Sequence, residues 1–181
     1  MPQQNTVPDP AGEAFWRFSL ALYGRPGCAG ALLALQDRAG CEVNLILFGL
    51  WLGAVGGMRL DPAALAAASP PIATAVVEPL RRLRRSLRGG HDRDILALRR
   101  RILGLEIAAE RRVQSRLAAA VPARPPEPDR LAAAEANLAL CLGDEARSGE
   151  ADLLRRTLRS LVRRPGREAG RGAEGRPAPP D

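Results

Sequence analysis

Residues Phe15–Trp51 of the 181-residue chain read FWRFSLALYGRPGCAGALLALQDRAGCEVNLILFGLW. This stretch contains all six aromatic residues of the protein, which are Phe15, Trp16, Phe18, Tyr23, Phe48 and Trp51. Aromatic side chains bury more area per residue than any others. We therefore expect the hydrophobic core to form around this stretch, with the later helices packed onto it.

Helix signals recur along the whole chain, and no run of alternating β-branched residues indicates a strand. Asp9-Pro10 is typical of a helix start, and Gly40 stands where a glycine ends a helix. The apolar run Val43–Gly57 predicts a buried central helix, because a membrane span needs about 20 apolar residues. The sequence thus predicts an all-α fold, a compact bundle of about six to eight helices.

Composition divides the chain into four segments. Residues 9–120 are predicted to form a helical core domain, and residues 131–164 a helical pair packed on or near it. Between them, residues 121–130 contain four prolines and are predicted to be a linker. Residues 165–181 contain no apolar side chain larger than Ala or Pro, which predicts a disordered C-terminal tail.

Two apolar stripes are predicted on the helices after the core stretch. The first stripe has spacings of four, four, three and four, and comprises Ile72, Val76, Leu80, Leu83 and Leu87. The second runs along the longest helix and comprises Ile95, Leu98, Ile102, Leu105, Ala109, Val113 and Leu117. Pro79 interrupts the first stripe, so we expect a kink or a break near Val77-Glu78.

The net charge of +7 comes from one part of the chain, since all 27 basic residues are Arg and residues 79–120 carry twelve of them against four acids. On one short helix the arginines share a face opposite Leu80, Leu83 and Leu87. This predicted Arg face comprises Arg81, Arg82, Arg84, Arg85 and Arg88. Guanidinium groups suit phosphates and carboxylates. Glu106 and Glu110, one turn apart on the long helix, could instead neutralise the Arg face from within the chain.

A polar cluster, Gln36, Asp37 and Asn44, flanks Gly40 beside the apolar run. These side chains could cap the ends of two helices, or they could line a small polar pocket. Both interpretations stay open on the sequence.

No catalytic, cofactor-binding or metal-ligating residue is predicted, and no small-molecule substrate is evident. His91 is the only histidine, and the neighbouring acids Asp92 and Asp94 are expected at a helix start. The three cysteines form no CxxC pair, and neither Cys28 nor Cys41 stands in a nucleophile signature. Together with an N-terminus that lacks a signal-peptide pattern, this cysteine usage predicts a cytoplasmic protein.

Four blocks of sequence, FWRFSL, LYGRPG, LALQDRAG and VNLILFGLW, support a family resemblance. Over roughly residues 13–120 the chain resembles a bacterial family of small proteins, domain of unknown function 2390. The resemblance implies a helical bacterial protein and implies no activity, substrate or catalytic residue.

These observations predict a non-enzymatic helical protein that binds a protein partner, because its polar residues are spread over solvent faces. The alternative is an anion-binding module that contacts nucleic acid or an anionic membrane surface through the Arg81–Arg88 face. That face has no interleaved aromatic on which bases could stack. A third hypothesis is an enzyme with an unfamiliar site at Gln36, Asp37 and Asn44.

Overall fold

A computed structural model of the chain describes residues 9–61, 63, 72–121 and 125–163, and these residues form seven α-helices and no strand. The helices are α1 (Pro10–Tyr23), α2 (Cys28–Ala39), α3 (Val43–Ala54), α4 (Glu78–Ser86), α5 (Arg93–Ala119), α6 (Arg130–Leu142) and α7 (Gly149–Arg163). A π-helical turn, Ala73–Val77, leads into α4, and a 3-10 turn, Gly143–Arg147, joins α6 to α7. The predicted all-α fold is confirmed. Residues 122–124 of the predicted linker and the predicted tail, 165–181, lie outside the described residues.

Local chemistry places the helix ends where the sequence predicts them. The Asp9 carboxylate accepts a hydrogen bond from the Gly12 backbone N–H at 2.9 Å and caps α1, with Pro10 at the first helical position. Gly40 ends α2 with φ +66°, a left-handed conformation that glycine adopts without a steric penalty.

The centre of the molecule is α3, in which eleven of twelve residues are buried. Phe48 and Trp51 of α3 form an aromatic cluster with Phe15 of α1. The Phe15 ring stacks on Trp51 with 5.1 Å between the ring centroids and contacts Phe48 with 5.7 Å between them. Trp16 lies at the edge of this core, half-buried, with the Arg111 guanidinium 5.8 Å from its ring centroid. Among the described residues, no single helix has the length and apolar character needed to cross a membrane. α1 and α2 meet that requirement only as a pair, and the chain bends by 98° between them.

Small residues bring α6 directly against α3. A Cβ atom added at Gly53 would lie 2.3 Å from the Cα and N atoms of Ala134, so the close approach of the two helices requires glycine. The buried Asn137 amide donates to the carbonyl oxygens of Gly49 and Met58, at 3.0 and 2.9 Å. Its oxygen accepts from the Leu60 N–H at 2.7 Å. Asn137 therefore ties α6 to α3 and to the chain that follows it.

The two predicted apolar stripes are wrong in part. On α5, Leu98 and Leu105 are 47% and 59% exposed, whereas Glu106 is buried at 4%. Before and within α4, Val76 and Leu83 are exposed and Val77 is buried. The predicted interruption takes the form of the π-helical turn Ala73–Val77, which ends two residues before Pro79. A π turn shifts the register of the residues that follow it, so a helical wheel at 100° per residue drawn from Ile72 to Leu87 misassigns the faces of Val76 and Val77 relative to α4.

Candidate functional site

The two groups of residues singled out on the sequence meet at two adjoining cavities, of which the first lies between α2, α3 and α4 and the second is lined by α1 to α5. The first, here called the polar cavity, has a volume of about 450 Å³. The second, here called the groove, has a volume of about 410 Å³. Gln36, Asp37 and Asn44 line both of them together with Arg81 and Arg85. The fold thus brings the predicted polar cluster to the predicted Arg face.

Arg81 and Arg84 do not point to solvent, which corrects the predicted Arg face. Their side chains are only 12% and 21% exposed and bind Glu106, whose side chain is 5% exposed. Arg84 Nε lies 2.6 Å from Glu106 Oε2, and Arg81 Nε lies 3.2 Å from Glu106 Oε1. Arg81 Nη2 also donates to Glu110 at 2.7 Å. Glu106 and Glu110 thus neutralise these two arginines from within the chain, the alternative that the sequence left open, and the buried Glu106 carboxylate gains the cationic partners it needs.

The environment shifts the pKa values of both glutamates. Burial disfavours the charged form of Glu106, but the hydrogen bonds and charges of Arg84 and Arg81 outweigh it and lower its pKa. Burial raises the pKa of Glu110, and the attraction of Arg81 offsets only part of that effect. Glu106 is therefore the carboxylate on which the ion-pair network depends.

The remaining arginines of the predicted face are closer to solvent. Arg85 Nη2 lies 3.1 Å from Asp37 Oδ1 in an exposed ion pair. Arg82 and Arg88 are exposed and form no ion pair within the part of the chain that the structure describes. Only part of the predicted Arg face is thus left for an external ligand.

Asn44 belongs to a buried chain of polar groups that joins α1, α5 and α3. The Gln114 amide N–H donates to Asn44 Oδ1 at 3.0 Å, and Gln114 Oε1 lies 3.2 Å from the Ser19 hydroxyl. All three side chains are at least nine-tenths buried. Gln36 Oε1 is also buried, but it has no hydrogen-bond partner among the described residues. Asn44 satisfies its polar group inside the fold, whereas Gln36 presents an unused acceptor.

Large apolar side chains surround the opening of the groove. Leu20 is 54% exposed, Leu33 is 42% exposed, and Leu103 and Ile107 are each 41% exposed. Trp16 completes this rim, and the charged residues Arg81, Arg84, Glu106 and Glu110 lie at its floor. Exposed apolar residues that converge on one concavity mark a binding surface.

A third cavity of about 280 Å³, here called the arginine pocket, adjoins the groove. It is lined by Arg84, Leu96, Arg99, Arg100 and Leu103. Arg99 and Arg100 are not among the site residues predicted from the sequence. A usable signal was present, because neither of them has an acidic residue three or four positions away on the helix.

In the residues that the structure describes, no group of three or more His, Cys, Asp and Glu side chains could hold a metal ion. Burial raises the pKa of the Cys41 thiol, and it raises that of Cys141 to about 12. A raised thiol pKa disfavours the thiolate that a nucleophile requires.

Fold and site together define an all-α protein with a charged, apolar-rimmed groove. The chain belongs to the family described as Protein of unknown function (DUF2390), whose model matches residues 14–117. The match runs from α1 to α5, so the residues lining the groove lie inside it, and α6 and α7 lie beyond it. Searches of curated proteins and of solved structures found no match.

Proposed function

We propose that the chain is a non-enzymatic protein-interaction module and that its groove holds an amphipathic helix of a partner protein. The observation that carries this proposal is the set of exposed apolar side chains that line one concavity, at Leu20, Leu33, Leu103 and Ile107. A groove between helices takes a partner helix through apolar residues spaced by three, four or seven positions. The net charge of +7 favours a partner segment that also carries acidic residues.

The charged floor supports this proposal over anion binding through Arg81–Arg88. Arg81 and Arg84 already bind the carboxylates of Glu106 and Glu110, so a phosphate would have to displace a buried ion pair. The apolar rim offers nothing to a phosphate, whereas it offers a hydrophobic contact surface to a protein.

We also propose that the protein is cytoplasmic. All three cysteines are free, with Cys28 buried and Cys41 and Cys141 partly buried, which suits a reducing compartment.

A selection of helical peptides tests the proposal. A displayed library of about 16-residue peptides is selected on the immobilised full chain, and the affinities of the selected peptides are measured by fluorescence anisotropy. The double variant Leu103→Glu/Ile107→Glu is expected to weaken binding by at least about tenfold, because it places charge on the apolar rim.

The control is Leu98→Glu/Leu105→Glu, which changes two leucines of the same helix that are also exposed, at 47% and 59%, and do not line the groove. Binding by this control should stay within about twofold of the wild type. If the two double variants weaken binding equally, or if neither does, the groove is not the docking surface.

A further inference from the structure

We infer that the arginine pocket is a carboxylate-binding subsite that takes an acidic side chain of the helical partner. This inference rests on the proposed function, and it adds a chemical requirement on the partner. The arginine pocket shares Arg84 and Leu103 with the groove, so the two cavities form one continuous surface along α5.

The charges in the arginine pocket are not balanced from within the chain. Arg84 binds Glu106, but neither Arg99 nor Arg100 forms an ion pair with any residue that the structure describes. The Nε atom of Arg99 is buried and lacks a hydrogen-bond acceptor there. Burying an N–H group without an acceptor is unfavourable, and a carboxylate is the acceptor that a guanidinium fork binds best. That Nε atom is closed to an external ligand, so an acidic side chain from the partner would instead bind the Nη groups of Arg99 and Arg100 and balance their charge.

The geometry of α5 sets the spacing expected in the partner. At about 100° per residue, Leu96, Leu103 and Ile107 lie within about 40° of one another on the helix, on the side toward the groove. Arg100 precedes Ile107 by seven positions, which is about 10 Å along the helix axis. A partner helix that lies along α5 therefore carries its acidic residue about seven positions from the apolar residue that contacts Ile107.

The walls of the arginine pocket favour a peptide over a nucleic acid. Leu96 and Leu103 form its apolar sides, and its lining contains no aromatic side chain on which a base could stack. A helix with one carboxylate on an apolar face can pair with the arginines and bury apolar surface against the leucines.

A double-mutant cycle on the selected peptides tests this inference. Each peptide is compared with its Glu→Gln form on the wild-type chain and on the variant Arg99→Gln/Arg100→Gln, with the folding of each variant checked by circular dichroism. The peptide change should weaken binding to the wild type by about tenfold and binding to the variant by less than about twofold. The control Arg101→Gln/Arg112→Gln removes the same charge from exposed positions of α5 and should keep the tenfold effect.

The possible outcomes separate this inference from the proposed function. Peptides that depend on Leu103 and Ile107 but tolerate Glu→Gln would overturn the subsite and leave the groove intact. A selection that yields no peptide dependent on Leu103 and Ile107 would overturn both. A single-stranded DNA of about 20 nucleotides is tested at about 0.15 M salt. If Arg99→Gln/Arg100→Gln weakens its binding and leaves peptide binding unchanged, the arginine pocket serves nucleic acid instead.

Discussion

The buried ion pairs of Glu106 give the most direct test of the structure. The Glu106 carboxylate accepts hydrogen bonds from Arg84 Nε at 2.6 Å, from Arg84 Nη2 at 3.1 Å and from Arg81 Nε at 3.2 Å. Glu106→Gln keeps the shape of the side chain but removes its charge. It also turns an amide NH₂ toward guanidinium donors, so one acceptor position becomes a donor.

The expected loss of stability follows from the exposure of the three side chains. Removing one partner of a buried ion pair lowers the free energy of unfolding by about 3–5 kcal/mol, because the remaining charge stays buried. Arg81 retains Glu110 at 2.7 Å, and Arg84 is 21% exposed and reaches water. We therefore expect a loss of about 3 kcal/mol, at the lower end of that range. The midpoint of thermal unfolding should fall by roughly 6–12 °C.

The pH dependence gives an independent check on the same carboxylate. The pKa of Glu106 is lower in the folded protein than its ordinary value, so its contribution to stability is present above the pKa of the unfolded chain, about 4.3. That contribution is lost as the pH falls through the lowered pKa of the folded state. The advantage of the wild type over Glu106→Gln should therefore shrink as the pH falls from about 7 to about 3.

Urea unfolding at each pH measures both effects. The control is Glu13→Gln, since Glu13 and its partner Arg111 have side chains that are 48% and 50% exposed. An exposed pair of this kind contributes less than about 1 kcal/mol. A loss below about 1 kcal/mol for Glu106→Gln, or an advantage that does not change with pH, would refute the buried network.

Two further predictions concern the core. Trp51→Ala should lower the free energy of unfolding in urea by about 3–5 kcal/mol, because Trp51 is only 8% exposed. Trp16→Ala, at the half-buried edge of the core, should lower it by about half as much. Equal losses for the two variants would contradict the placement of Trp16. Gly53→Ala should cost at least about 2 kcal/mol, because the new Cβ meets Ala134 backbone atoms at 2.3 Å. Gly30→Ala, where a Cβ meets nothing within 4 Å, should leave the free energy of unfolding unchanged or raise it by up to about 1 kcal/mol.

The parts of the fold that depend on local chemistry were predictable from the sequence. The Asp9 cap, the glycine end at Gly40 and the burial of α3 depend on residues that stand next to one another in the chain. The faces of α4 and α5 were not predictable in the same way. Leu105 is exposed and its neighbour Glu106 is buried because the helix opposite presents arginines. A hydrophobic pattern read from one helix contains no information about the residues that face it.

The candidate site was predictable to a similar degree. The sequence singled out Gln36, Asp37 and Asn44 as well as the arginines of α4, and the fold places both groups at adjoining cavities. It did not single out Leu20 or Leu33, because an exposed leucine on a helix is ordinary until the fold places others beside it. The apolar rim of the groove is thus contributed by α1, α2 and α5 together, and none of these helices shows it alone.

The arginines that give residues 79–120 their excess of positive charge have different surroundings on α4 and on α5. On α4, Arg81 and Arg84 turn inward and are neutralised by Glu106 and Glu110. On α5, Arg99 and Arg100 line the arginine pocket and have no acidic partner among the described residues. Guanidinium groups that are already paired stabilise the fold, while unpaired ones beside leucines favour a ligand with both a carboxylate and an apolar surface. In the proposal made above, the same arginine-rich segment supports the fold through α4 and recognises the partner through α5.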